Sequence, residues 1–202
     1  MRKIVKMIGI CTLLLALIWV GTVIADRRKL NEGLIRLHVV AASDSREDQA
    51  VKLRIRDAVM AALQGDIVTS ADAEEAKAYL QTRLADLKII ADDILKDAGM
   101  EETAAVTLEK ECFPTREYDT FSLPAGVYES LKITVGPGEG PNWWCVVFPS
   151  LCLPATTEGF ADTAVGSGFP DSLAGALQQD GGYEIRFFLL DCLGWLEILF
   201  HT

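Results

Sequence analysis

Cys145 and Cys152 stand with six residues between them in the run NWWCVVFPSLC, and His38 lies in the alternating run LIRLHVVAAS. A thiolate beside an imidazole is nucleophilic chemistry. Cys145 and His38 would make a cysteine-type hydrolase if their strands are neighbours. Two thiols at this spacing also suit a disulfide, because the chain can turn at Phe148-Pro149 and return Cys152 to Cys145. On the loop-entropy model such a crosslink contributes roughly 2–3 kcal/mol. The disulfide is the better fit, with two buried, reduced thiols as its plain alternative. Zinc is disfavoured: the gap exceeds the roughly two to four residues of a zinc knuckle, and His38 and His201 are the only histidines.

GPGEGPN (136–142) is the other stretch whose residue types suggest chemistry. Glycine loops that cradle phosphates run from a strand into a helix N-terminus. This one joins two strand patterns and carries Glu139, so a hairpin turn is expected and no cofactor is implied. Acidic residues are plentiful, but no spacing marks a catalytic carboxylate pair. Trp143 and Trp144 occupy successive strand positions and must face opposite sides of a sheet. One joins the core; the other lies on the open face or beneath the C-terminal segment. A tryptophan left at a surface is a typical interface anchor. Candidate partner-binding residues are therefore Asn142, Trp143 and Trp144, Arg116 and Tyr118 of FPTREY, and Asp44. Arg116 can equally pair with one of the many acids.

The elements that must position these residues follow from periodicity. Ile35, Leu37, Val39 and Ala41 alternate with Arg36 and His38, the pattern of a half-buried strand. Ser45 with Asp48 opens a helix, whose apolar positions Val51, Ile55, Ala58, Val59 and Ala62 recur to Leu63 before Gly65. Ser70 or Asp72 caps a second helix, in which Ala73, Ala76, Leu80, Leu84, Leu87, Ala91, Ile94 and Ala98 form one stripe closed by Gly99. Strand patterns follow at 104–113, 127–135 and 142–149, the last read as a central strand. The expected class is α+β: two helices packed on a mainly antiparallel sheet, in the order β-α-α-β-β-β, then a C-terminal strand or helix. The organisation reads as a leader at 1–25, a linker at 26–33, one domain at 34–153, a loop-rich segment at 154–182 and an apolar segment at 183–202.

Composition limits the partners. The chain has 202 residues and a net charge of −10, which disfavours nucleic acid. Arg2, Lys3 and Lys6 precede an uncharged run from Met7 to Ile24. Val23-Ile24-Ala25 offers a signal-peptidase site, yet the run nears membrane-span length and Arg27, Arg28 and Lys29 follow it. Cleaved export signal and uncleaved anchor both stand, and either carries the rest of the chain outside the cytoplasmic membrane. Residues 1–25 hold three basic groups and no acids, so the remainder is strongly acidic. Electrostatics gives that remainder no affinity for anionic lipid, and the membrane is met only through the N-terminal segment.

LIRLHVVAASDSREDQAVKLRIRDAV, FPTREY, LPAGVYESLKITVGPGEGPNWWCVVFPSLC and YEIRFFLL together resemble the stage II sporulation protein R family. The likeness runs from 34 to 153, with a weaker stretch at 183–200; its most specific part is Gly136 to Pro149. Ala42 stands where the family usually has Asn, and Ser150 where a second Pro is common. Cys112 and Cys192 lie outside the family pattern. The resemblance implies a non-enzymatic signal made in the forespore and exported to the space between forespore and mother cell. There it would activate a membrane-embedded aspartic protease, which then processes the precursor of the mother-cell sigma factor, sigma-E.

Overall fold

The computed structural model describes residues 2–118, 121–149, 165–166, 169–178 and 185–201. Helix α1 spans Arg2–Gly33 and feeds strand β1, Ile35–Val40. Helices α2 (Arg46–Leu63) and α3 (Ala73–Asp97) follow, separated by a 3-10 turn at Ile67–Thr69. Strand β2 is Ala104–Phe113; β3 (Arg116–Glu117) and β4 (Ser122–Leu123) pair as a short ribbon. Strands β5 (Gly126–Val135) and β6 (Asn142–Phe148) complete the β-structure. Two further helices are α4, Asp171–Leu177, and α5, Ile185–His201.

Local chemistry sets the helix starts as expected. The Ser45 hydroxyl accepts from the Asp48 N–H at 3.0 Å, and the Asp72 carboxylate from the Glu75 N–H at 2.9 Å. Of the expected α3 stripe, Ala73, Ala76, Leu80, Leu87 and Ala91 are buried, Leu84 and Ile94 are half-buried and Ala98 is exposed, with Leu95 the buried residue of the last turn; Gly99 supplies the positive φ just beyond the helix.

The sheet order is β2-β5-β1-β6, with β1 parallel to β5 and the other two pairings antiparallel. Helices α2 and α3 cover one face, where Leu37, Val39, Leu131, Ile133 and Val147 form the main core. The last turns of α1, with α4 and α5, cover part of the other. That makes three layers where two helices on a single face were expected.

Several expectations are corrected here. GPGEGPN is not a hairpin, because β5 and β6 are not neighbours: β1 lies between them. The loop instead crosses the end of β1. There Glu139 and Gly140 donate backbone N–H bonds to the carbonyls of Ala42 and Ala41, at 3.2 and 2.9 Å. A Cβ at Gly140 would lie 2.3 Å from the Ser43 carbonyl oxygen, so this close crossing requires glycine. Strand β6 is accordingly an edge strand rather than a central one. Residues 26–33, expected as a linker, are the last turns of α1, and Asp26, Arg27 and Leu30 are buried. Within the segment expected as loop, residues 171–177 are helical; the apolar C-terminal segment, expected as strand or helix, is a helix.

Candidate partner-binding face

Alternation on four strands sends Arg36, His38, Glu111, Phe113, Tyr128, Lys132, Trp144 and Val146 to the second face of the sheet, away from α2 and α3. Arg36 is wholly buried. Its guanidinium lies 4.3 Å from the Phe113 ring centroid and 5.3 Å from that of Tyr128. It donates to the Tyr118 hydroxyl at 2.9 Å and the Cys145 carbonyl at 3.4 Å, while its Nη1 has no hydrogen-bond partner. No carboxylate pairs with it among the described residues, so the aromatic faces and the hydroxyl hold this charge.

Beside it His38 bridges two strands. Its Nδ1 lies 3.2 Å from the Glu111 carboxylate, and its Nε2 lies 3.0 Å from Asn142 Oδ1. Lys132 approaches the same Glu111 carboxylate at 2.7 Å. Burial pushes the Glu111 carboxyl up, but hydrogen bonds from His38 and Lys132 outweigh it and hold the pKa at about 2. The imidazole also lies against the Trp144 ring, centroids 5.7 Å apart.

Trp144 is half-buried and carries Arg116 over its outer face, 3.5 Å from guanidinium carbon to ring centroid. Burial lowers the Arg116 pKa, and the neighbouring Arg36 charge lowers it further. Arg116 has no carboxylate partner among the described residues. The β3–β4 ribbon fixes its position. Tyr118 donates its backbone N–H to the Phe121 carbonyl at 2.8 Å, and the Tyr118 and Phe121 rings stack at 4.6 Å.

Four of the six candidate residues thus converge: Asn142, Trp144, Arg116 and Tyr118 share one face with His38 and Arg36. Trp143 does not join them. It packs on the α2–α3 side, with Arg56 4.3 Å from its ring centroid and its indole N–H buried without a hydrogen-bond partner. Asp44 is exposed in the turn between β1 and α2, where its charge acts on Lys52.

Cys145 is disulfide-bonded, and Cys152, its expected partner, lies outside the described residues. Cys145 also projects into the α2–α3 core, whereas His38 projects from the opposite face. The sheet separates the two side chains, and the expected Cys145–His38 hydrolase pair is not formed. Cys11, Cys112 and Cys192 are free thiols.

Sequence periodicity missed a second buried polar cluster at the covered end of this face. Arg27 of α1 donates to the Tyr128 hydroxyl at 3.1 Å and to Glu197 of α5 at 2.8 Å. Asn31 donates to the same carboxylate at 2.7 Å. Asp191 of α5 accepts from the Thr115 hydroxyl and the Ala125 N–H. The motif segments FPTREY and LPAGVYESL therefore grip α5 as well as presenting Arg116 and Tyr118. Isolated Gly194, inside an apolar helical run, was the one local signal of this close approach.

The family model of stage II sporulation protein R matches residues 31–158. A protein of Bacillus subtilis (strain 168) described as stage II sporulation protein R is 32% identical over 184 residues, covering 82% of this chain and 81% of that protein. No solved structure gives a significant match.

Proposed function

The chain belongs to the stage II sporulation protein R family, and from that premise we propose that it is an exported sporulation signal that activates a membrane-embedded aspartic protease. Activation would trigger processing of the sigma-E precursor in the mother cell, from a position between the two cell membranes. The observation that carries a binding role is the second sheet face. A half-buried tryptophan there contacts His38 and carries Arg116 over its ring, and neither Arg36 nor Arg116 has a carboxylate partner among the described residues. Aromatic and arginine side chains dominate interface energetics, and a stacked guanidinium edge is suited to receive an acidic or carbonyl group of a partner. Helix α1 fits the export half of the reading: it is long and apolar enough to cross a membrane and lies near the N-terminus.

The test is reconstitution. Protease and sigma-E precursor are placed in vesicles, and this protein is added on the outer side. Precursor cleavage that depends on the added protein is the expected result. Equal cleavage without it, or none with it, overturns the proposal.

A further inference from the structure

Helix α5 is built inside out. Surface helices usually turn their charges to water and their apolar stripe to the core. On α5 the charged groups Arg186, Asp191 and Glu197 all turn inward: to Asp26, to Thr115 and Ala125, and to Arg27 and Asn31. Its outward face carries Ile185, Trp195, Leu196 and Phe200, with Phe200 89% exposed and Trp195 48% exposed. Besides those three, the only other titratable side chains on α5 are the Cys192 thiol and His201, in the last turn.

The place of this face decides what covers it. The exposed apolar part of α1 runs from Ile4 to Ile24. The α1 residues that clasp α5 are Asp26, Arg27 and Asn31, so the clasp begins about 3 Å and ends about 10 Å beyond Ile24 along the helix axis. On α5 the clasping residues Arg186 and Glu197 are about 16 Å apart along the axis, against about 8 Å for their partners on α1. The contact thus occupies a shorter stretch of α1 than of α5, as when two helices meet at an angle. An apolar helix face meeting a membrane-spanning helix at an angle, at the level where it leaves the bilayer, has the geometry of an interfacial helix, and tryptophan is the residue that favours that level.

We infer that the outward face of α5 lies in the surface of the bilayer that α1 enters, so that the domain is held against lipid at a second place. This contact is apolar, so it does not depend on attraction between the acidic domain and lipid headgroups. It rests on α1 acting as a membrane anchor.

The experiment uses the full chain in zwitterionic phosphatidylcholine vesicles. The thiols Cys112 and Cys192 are replaced by Ser, and an environment-sensitive fluorophore is placed on native Cys11. In parallel chains that also carry Cys11→Ser, it is placed at Leu196→Cys or, as a solvent-facing control, at Glu74→Cys. The expected result is that the label at position 196 is quenched by brominated lipid and largely loses its quenching by aqueous iodide, while the label at position 74 behaves in the opposite way. A second chain with Trp195→Glu and Phe200→Glu keeps the inward contacts and is expected to return position 196 to iodide. The inference is overturned if position 11 is lipid-quenched but position 196 stays open to iodide, which leaves the anchor standing. It is overturned equally if position 196 is shielded from iodide yet untouched by brominated lipid, which assigns the face to protein. If position 11 is itself not lipid-quenched, the anchor and this contact fail together.

Discussion

Arg27 and Glu197 are 170 positions apart in sequence and meet at 2.8 Å. Their ion pair joins the last turns of α1 to α5, so the C-terminal end of α1 and the C-terminal helix pack as parts of one folded unit. Helix α1 therefore runs without a break from its exposed apolar part into the packed domain. A cut after Ala25 would keep Asp26 and Arg27 but remove Val23, which is 1% exposed in the second core. Arg27 is buried, whereas Glu197 is partly open to solvent. Removing Glu197 leaves Arg27, among the described residues, with the Tyr128 hydroxyl and ring, and should cost about 1–3 kcal/mol, less than the roughly 3–5 kcal/mol of a fully buried broken pair because Glu197 is partly solvated. Glu197→Ala, Arg27→Ala and the double variant are compared by denaturant unfolding. The double variant should cost clearly less than the two singles added together; simple additivity would show that the pair does not act as one unit.

Gly194 and Gly126 make that junction possible. A Cβ on Gly194 would lie 1.6 Å from the Ala125 carbonyl oxygen, and one on Gly126 would meet the Arg27 guanidinium at 1.4 Å. Backbone cannot give way as a flexible side chain can. Gly194→Ala, although it improves helix propensity, should destabilise the protein by about 2–4 kcal/mol or undock α5. Gly175→Ala in α4, where an added Cβ meets nothing within 4 Å, is the matched control and should be neutral or slightly stabilising. Melting temperatures of the two variants decide the point.

The Glu111 carboxyl makes stability depend on acid. Its pKa falls from an ordinary 4.5 to about 2 in the fold. A depressed carboxylate stabilises the folded state above its unfolded pKa, and that contribution is lost as pH falls from 4.5 towards 2. The side chain keeps some solvent access, so the screened contribution is about 1–2 kcal/mol. Glu111→Gln should lower stability at pH 7 by that amount and flatten the stability profile between pH 4.5 and 2. Identical slopes for the two proteins across this window would remove Glu111 from the account.

How much of this was legible in the sequence depended on range. Ser45, Asp72 and the α3 stripe act within a few residues of themselves, and their periodicity declared both helices. The alternation of Arg36 and His38 with Leu37 and Val39 likewise gave the two faces of β1. The insertion of β1 between β5 and β6 could not be read that way, because strand order is a long-range choice. A glycine-rich link between consecutive strands looks the same whether it turns a hairpin or crosses a neighbour's end. Arg27 looked like a flank of the leader because nothing near it in sequence reveals Tyr128 or Glu197. Within the site, adjacency put Trp143 and Trp144 on opposite faces, but only the register of β6 against β1 says which face is which.

That register makes the two tryptophans separable by experiment. Trp143 packs on the α2–α3 core under Arg56, so Trp143→Ala removes apolar burial and a stacked guanidinium and should cost about 2–4 kcal/mol of stability. Trp144 contacts His38 and Arg116 on the proposed binding face, so Trp144→Ala should cost less stability and more signalling. Arg116→Lys is the companion variant. It keeps the charge but loses the planar stack and the forked donors, and should weaken precursor processing about tenfold with little change in unfolding. Processing in reconstituted vesicles and denaturant unfolding are measured on all three proteins. If Trp143→Ala abolishes processing while remaining as stable as the parent, and Trp144→Ala and Arg116→Lys process normally, then the partner meets the α2–α3 side and the assignment of the binding face is reversed.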